Sequence, residues 1–202
     1  EECLFCISSA QTNNFREFSL KLLSKYLDKR KDRCEPFAAK SFVSLSAEFA
    51  VCELPLLETA FSILKREKKD IAWCLCAAWS FVAMSMNKRE YQTSIRLIKI
   101  CQSFTRKEDD PEAFILLFFE LIALLELSGQ DERICGVLER FNEKKEVIDK
   151  QAKSNVFNIS VKDLLANSLT LQYRICLYRH DYKTAIEFIN NCTEPYELLQ
   201  LT

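Results

Sequence analysis

The chain has 202 residues, with only 2 glycines and 4 prolines, and its 28 basic and 29 acidic side chains leave a net charge of −1. A sheet protein of this size needs many tight turns, and tight turns draw on glycine and proline, so the composition excludes most sheet folds and predicts an all-α chain. The charge balance excludes long-range steering onto nucleic acid or an anionic membrane, and no apolar run reaches the ~20 residues of a membrane span.

Caps and periodicity predict ten helices, at 2–10, 14–31, 36–53, 55–69, 71–87, 89–106, 111–128, 131–150, 161–179 and 181–192, and an eleventh from Pro195. All four prolines (Pro36, Pro55, Pro111 and Pro195) precede long apolar-periodic runs. A helix tolerates proline there because the missing N–H has no partner in the first turn. The first predicted helix carries Cys3-Leu4-Phe5-Cys6, a C-x-x-C spacing. A structural zinc site needs a second pair, and only Cys74 and Cys76 offer one; helical residues two apart diverge, so these read as core rather than ligands. A redox reading needs a strand-turn-helix context that is missing.

The second helix shows a stripe of Phe15, Phe18, Leu22 and Tyr26 and closes on Lys29-Arg30-Lys31-Asp32-Arg33. The fourth shows Leu57, Phe61 and Leu64 and closes on Lys65-Arg66-Glu67-Lys68-Lys69-Asp70. Both basic clusters are interrupted by acids and sit where cations favour the helix dipole, so they read as solvated helix ends. The fifth carries Trp73 and Trp79 on nearly opposite sides, where core packing is the simpler assignment and a binding anchor the other. Glu108-Asp109-Asp110-Pro111-Glu112 then opens the seventh helix, with Asp110 as N-cap. The acids precede the helix, so capping accounts for them better than a magnesium-diphosphate site. From Ala113 to Leu127 the helix is apolar on all faces apart from Glu120 and Glu126, which predicts an interior position. With only Gly129 and Gly136, the chain has no Gly-rich phosphate loop.

Gln151 to Ile159 is the only segment with linker character, so the chain reads as one continuous domain over 1–202. Ser160 with Asp163 starts the ninth helix as a capping box, followed by Val161, Leu164, Leu165, Leu169, Tyr173 and Cys176 at three- and four-residue steps. His180, the only histidine, falls in the Arg179-His180-Asp181 turn, where helix-end contacts account for it better than a Cys-His nucleophile pair. No catalytic residue, metal site or cofactor is therefore assigned.

Two segments are related. Tyr182, Ala185 and Ile189 place an aromatic, a small and a large apolar residue along one helix, and Tyr91, Ser94 and Ile98 repeat the pattern 91 residues earlier. A small residue is needed where another helix crosses closely. Second helices of successive pairs begin near 14, 55, 89, 131 and 181, spacings of about 41, 34, 42 and 50 that fit stacked helical hairpins.

Leu169, Tyr173 and Cys176, followed by Tyr182, Ala185, Ile189 and Cys192, resemble a tetratricopeptide repeat (TPR). Tyr173 stands where that family prefers glycine. Ala78, Val82, Ser85, Tyr91, Ser94, Ile98 and Cys101 form a weaker copy, Leu57, Ala60 and Leu64 a partial one, and 111–150 hardly matches. The resemblance implies a right-handed α-solenoid of about five antiparallel pairs and a non-catalytic scaffold binding a protein or peptide within a larger assembly. First helices would line its groove: Asn167, Thr170 and Arg174 in the last pair, Cys76 and Trp79 in the third. Asn and Arg suit that role because they fix a peptide backbone or carboxylate by directed hydrogen bonds.

Two further classes stand beside it. An all-helical metal-dependent enzyme would use Glu48, Glu120 and Glu126, which sit in apolar surroundings; an RNA-binding helical array needs one basic face. The 10 cysteines, mostly in helical stripes, and the absence of a visible signal peptide point to a reduced, intracellular protein, cytoplasmic or nuclear. The chain reads as a fragment. Leu198, Leu199 and Leu201 begin an uncapped end that predicts continuation of the natural protein, a bound partner or self-association.

Overall fold

A computed structural model describes residues 13–105, 111–127, 129–148 and 155–190. Among these residues every regular element is helical: α1 Asn13–Arg30, a 3-10 turn Lys31–Arg33, α2 Pro36–Glu48, α3 Leu54–Glu67, α4 Ile71–Asn87, α5 Tyr91–Gln102, α6 Pro111–Leu125, α7 Asp131–Val147, α8 Val161–Tyr178 and α9 Tyr182–Asn190. The expected helices at 2–10 and from Pro195 lie outside the described residues, as do Cys3, Cys6, Glu108 to Asp110, Cys192 and the three leucines near the end.

The starts follow the sequence. Pro36 and Pro55 occupy first-turn positions of α2 and α3, and Pro111 opens α6. Ser160 caps α8, its hydroxyl accepting the Asp163 N–H at 3.2 Å.

The ends are less obvious. Ala50 (φ 52°), Arg89 (φ 59°) and His180 (φ 58°) adopt left-handed backbone after α2, α4 and α8. In each case the next residue's N–H reaches back five residues at 2.9 Å: Val51 to the Ser46 carbonyl, Glu90 to that of Ser85, Asp181 to that of Cys176. This closes the last open carbonyls and stops the helix, a role usually given to glycine. Gly129 (φ 72°) is also left-handed, between α6 and α7, but there its N–H and that of Gln130 go to the Tyr178 hydroxyl. The turn at Ala50 explains why α2 stops at Glu48 instead of running to the expected residue 53.

The chain divides into two compact units, Glu1–Thr105 and Arg106–Thr202. In the first, α2–α3 and α4–α5 are hairpins, α1 packs on α2 and α3, first helices touch (α2 on α4) and second helices touch (α3 on α5). Its core holds Leu23, Leu27, Phe42, Leu57, Phe61 and Phe81, all buried. In the second unit, α6–α7 and α8–α9 are hairpins and α6 packs on α8. Phe114 stacks on Phe141 with ring centroids 4.9 Å apart. The interior expected for the apolar segment is found, since Phe114 to Phe118, Leu121, Ala123 and Leu124 are buried.

Two stripes are corrected. Phe15, Phe18 and Leu22 are exposed, and α1 buries Ser19, Leu20, Leu23 and Leu27 instead. In α8 the buried line is Val161, Leu164, Ser168, Leu171 and Ile175, while Leu165, Leu169, Tyr173 and Cys176 are half-buried. Both helices are apolar over more than one face, so periodicity alone admits two rotations.

The two related segments share the environment of their small residue alone, since Tyr91 is half-buried and Ile98 buried where Tyr182 is exposed and Ile189 half-buried. Ser94 and Ala185 are buried in the first turn or so of α5 and α9. The Ser94 and Ser85 hydroxyls meet at 2.8 Å where α5 crosses α4. The small side chains allow this close crossing, as their spacing implies.

Candidate functional site

Asn167, Thr170 and Arg174 lie three and four residues apart on α8 and therefore share one face. Asn167 and Arg174 are exposed and Thr170 is half-buried. Arg174 is engaged: its Nη2 donates to Glu126 Oε1 at 2.7 Å, tying α8 to the chain just beyond α6. The face thus presents a paired guanidinium and carboxylate beside Asn167 and Thr170. Among the described residues, neither of these two makes a side-chain hydrogen bond. Toward α7, Gln172 donates to Asn142 at 2.9 Å. The sequence pointed to Arg174 but not to its partner 48 residues away.

In the other unit Cys76 is exposed and Trp79 half-buried on α4. The sequence admits two readings for Cys76, core beside Cys74 and groove-lining surface beside Trp79; it is exposed, and of the two cysteines only Cys74 is buried. Trp73 is half-buried too, with the Lys40 ammonium 4.9 Å from its ring centroid. Lys40 also pairs with Asp70 at 2.6 Å. Its hydrogen bond and charge hold the Asp70 carboxyl below the usual carboxylate range. Lys40 therefore links α2 to the start of α4 in two ways, neither legible without the fold. Trp79 belongs to the first unit and Asn167, Thr170 and Arg174 to the second, so each face stands by itself.

The carboxylates considered for a metal-dependent enzyme are engaged separately. Glu48 is exposed and pairs with Arg16; Glu126 pairs with Arg174; Glu120 alone is buried, 3.9 Å from Arg140. Each faces a different cation, and among the described residues no three metal-ligating side chains come together. His180 and Cys135 line one depression of ≈ 610 Å³ with Asp131, Glu132 and Tyr178, yet no hydrogen bond joins them among the described residues. The His180 Nδ1 lies 3.0 Å from the Tyr182 hydroxyl, a contact within the turn. The Tyr178 hydroxyl accepts the Gly129 N–H at 3.1 Å, holding the start of α7 against the end of α8.

Seven cysteines among the described residues are free thiols. Burial, reinforced by Glu35, pushes the Cys34 thiol up to about 11, and burial raises Cys101. These are protonated, packed side chains rather than nucleophiles. The basic side chains of both clusters are solvated, as expected: Lys29, Arg30, Lys31 and Arg33 are exposed, and so is all of 65–70. No helix among the described residues is long and apolar enough to cross a membrane. Comparison of the chain with protein-family models, with curated proteins and with solved structures finds no match.

Proposed function

We propose that this chain is a non-catalytic, TPR-like scaffold of stacked helical hairpins, which binds a peptide or helix of a partner within a larger intracellular assembly. The observation that carries the reading is the recurrence of one turn and crossing. Arg89-Glu90-Tyr91 with Ser94 and His180-Asp181-Tyr182 with Ala185 share a left-handed residue, a five-residue back-bond and a buried small side chain. Packing of first helix on first and second on second within the first unit, and of α6 on α8 in the other, is what stacked repeats require.

In this reading the first-helix faces receive the partner. On α8, Asn167 and Thr170 offer hydrogen bonds to a peptide backbone, and Arg174, oriented by Glu126, offers its remaining N–H groups to a carboxylate. On α4, Trp79 supplies apolar area. The test is recovery of bound proteins by the wild-type chain, Arg174→Glu, and the swap Arg174→Glu with Glu126→Arg. The single variant should lose the partner. The swap should regain the ion pair, worth about 0.2–1 kcal/mol, without regaining the partner. Equal recovery by all three removes the α8 face from the proposal.

A further inference from the structure

A second cleft lies on the opposite layer of the first unit, between the second helices α3 and α5, and encloses ≈ 480 Å³. Phe61 and Ile100 form its apolar part; Glu58, Lys65, Arg96 and Lys99 form its charged part. Glu58 and Arg96 satisfy each other through two parallel hydrogen bonds of 2.9 and 2.6 Å. Such a fork is geometrically fixed and leaves the pair nearly neutral. Lys65 stands seven residues beyond Glu58, ~10 Å along α3, at the other end of the cleft. Lys65 and Lys99 are exposed, and among the described residues neither has an acidic partner. At the floor, buried Phe61 meets buried Phe104 edge-on with ring centroids 6.0 Å apart. The surrounding unit has the same sign: residues 1–105 carry 16 Lys and Arg against 12 Asp and Glu, whereas residues 106–202 carry 12 against 17.

We infer that this cleft docks an acidic peptide segment of a partner protein, an apolar side chain entering against Phe61 and Ile100 while flanking carboxylates meet Lys65 and Lys99. The fixed Glu58–Arg96 pair closes one end and disfavours a carboxylate there, which gives the segment a direction. A nucleic acid fits less well, because the neutral Glu58–Arg96 pair interrupts the positive charge that a continuous phosphate backbone would follow and no exposed aromatic lines the cleft for base stacking. The site involves none of the first-helix residues, so it stands or falls independently of the α8 face.

The experiment is fluorescence anisotropy of the full chain with a labelled Glu-Glu-Leu-Glu-Glu peptide, its Gln-Gln-Leu-Gln-Gln counterpart and a single-stranded RNA pentamer. Saturable binding of the acidic peptide is expected, weakened by added salt and roughly tenfold weaker in K65E/K99E. Both substitutions are on exposed positions, and circular dichroism checks that the variant keeps its helices. A reversal at Lys144 and Lys145, in the other unit, should leave binding unchanged. The inference is overturned if the neutral peptide binds equally, if K65E/K99E binds as wild type does, if the Lys144/Lys145 reversal weakens binding as much, if no peptide saturates, or if the RNA binds more tightly through the same lysines.

Discussion

Ala50, Arg89 and His180 hold left-handed backbone without being glycine. An L-residue in that region is disfavoured by roughly 1–2 kcal/mol, part of which glycine offsets by its larger unfolded-state entropy. Ala50 is exposed, so Ala50→Gly should stabilise the chain by about 0.5–1 kcal/mol in urea denaturation. Gly129 provides the converse. A Cβ there would meet nothing within 4 Å, so Gly129→Ala should cost about 1 kcal/mol through backbone conformation alone. Equal stabilities in both comparisons would mean that the turns are not left-handed. The thiols give a second expectation at this scale. Cys34 keeps its proton up to about 11 when folded, whereas an unfolded thiol loses it near 8.5. Between those values the unfolded state is the one that sheds protons, so stability is full below the lower value and falls as pH rises through the window. Cys34→Ala should flatten that alkaline decline, read from denaturation midpoints between about pH 8 and 11. At neutral pH a maleimide should label exposed Cys76 well before buried Cys34 and Cys101.

At the scale of the helix pair, α4 and α5 meet at Ser85 and Ser94, and the residues 91 positions on, Cys176 and Ala185, lie on α8 and α9, which also pack together. Ala185 is 2% exposed, so a larger side chain has no room. Ala185→Leu should destabilise by about 1–3 kcal/mol, the usual consequence of overpacking. These pairs were legible in the sequence because a helix rarely requires a small residue except where a second helix crosses it closely. Helix starts were legible because proline and Ser160 act locally. One end was not: Ala50 carries no glycine signal and only the five-residue back-bond reveals it, whereas α4 and α8 stop within a residue of the expected 87 and 179. The buried rotation of α1 and α8 was hidden by apolar residues on two faces of each helix. The site residues on α8 could be named from spacing, but Glu126 as the partner of Arg174 and Lys40 as the link between Asp70 and Trp73 depend on tertiary contacts. Cys76 was assigned both to the core and to the groove face because an uncharged helix offers few polar markers for its outer side.

At the scale of the molecule, the contacts gather into two units although no glycine- or proline-rich linker marks a boundary. Each unit has its own hairpins and buried aromatic core, so residues 1–105 and 106–202 expressed separately should each give a helical far-ultraviolet spectrum and a thermal transition. In the intact chain, hydrogen exchange resolved by peptide should show Ala185→Leu loosening residues 160–190 and sparing 13–105. Loss of protection spread evenly over both units would identify a single cooperative body. The hairpin arrangement also governs how quickly structure is reached. Helices meet those next to them or next but one in the chain, and the Tyr178–Gly129 bond spans only 49 residues. Short loops lose little entropy on closing, so no distant pairing has to be found before stabilising contacts accumulate. Refolding from urea, followed by tryptophan fluorescence, should therefore run in microseconds to milliseconds for the first unit, which holds both Trp73 and Trp79.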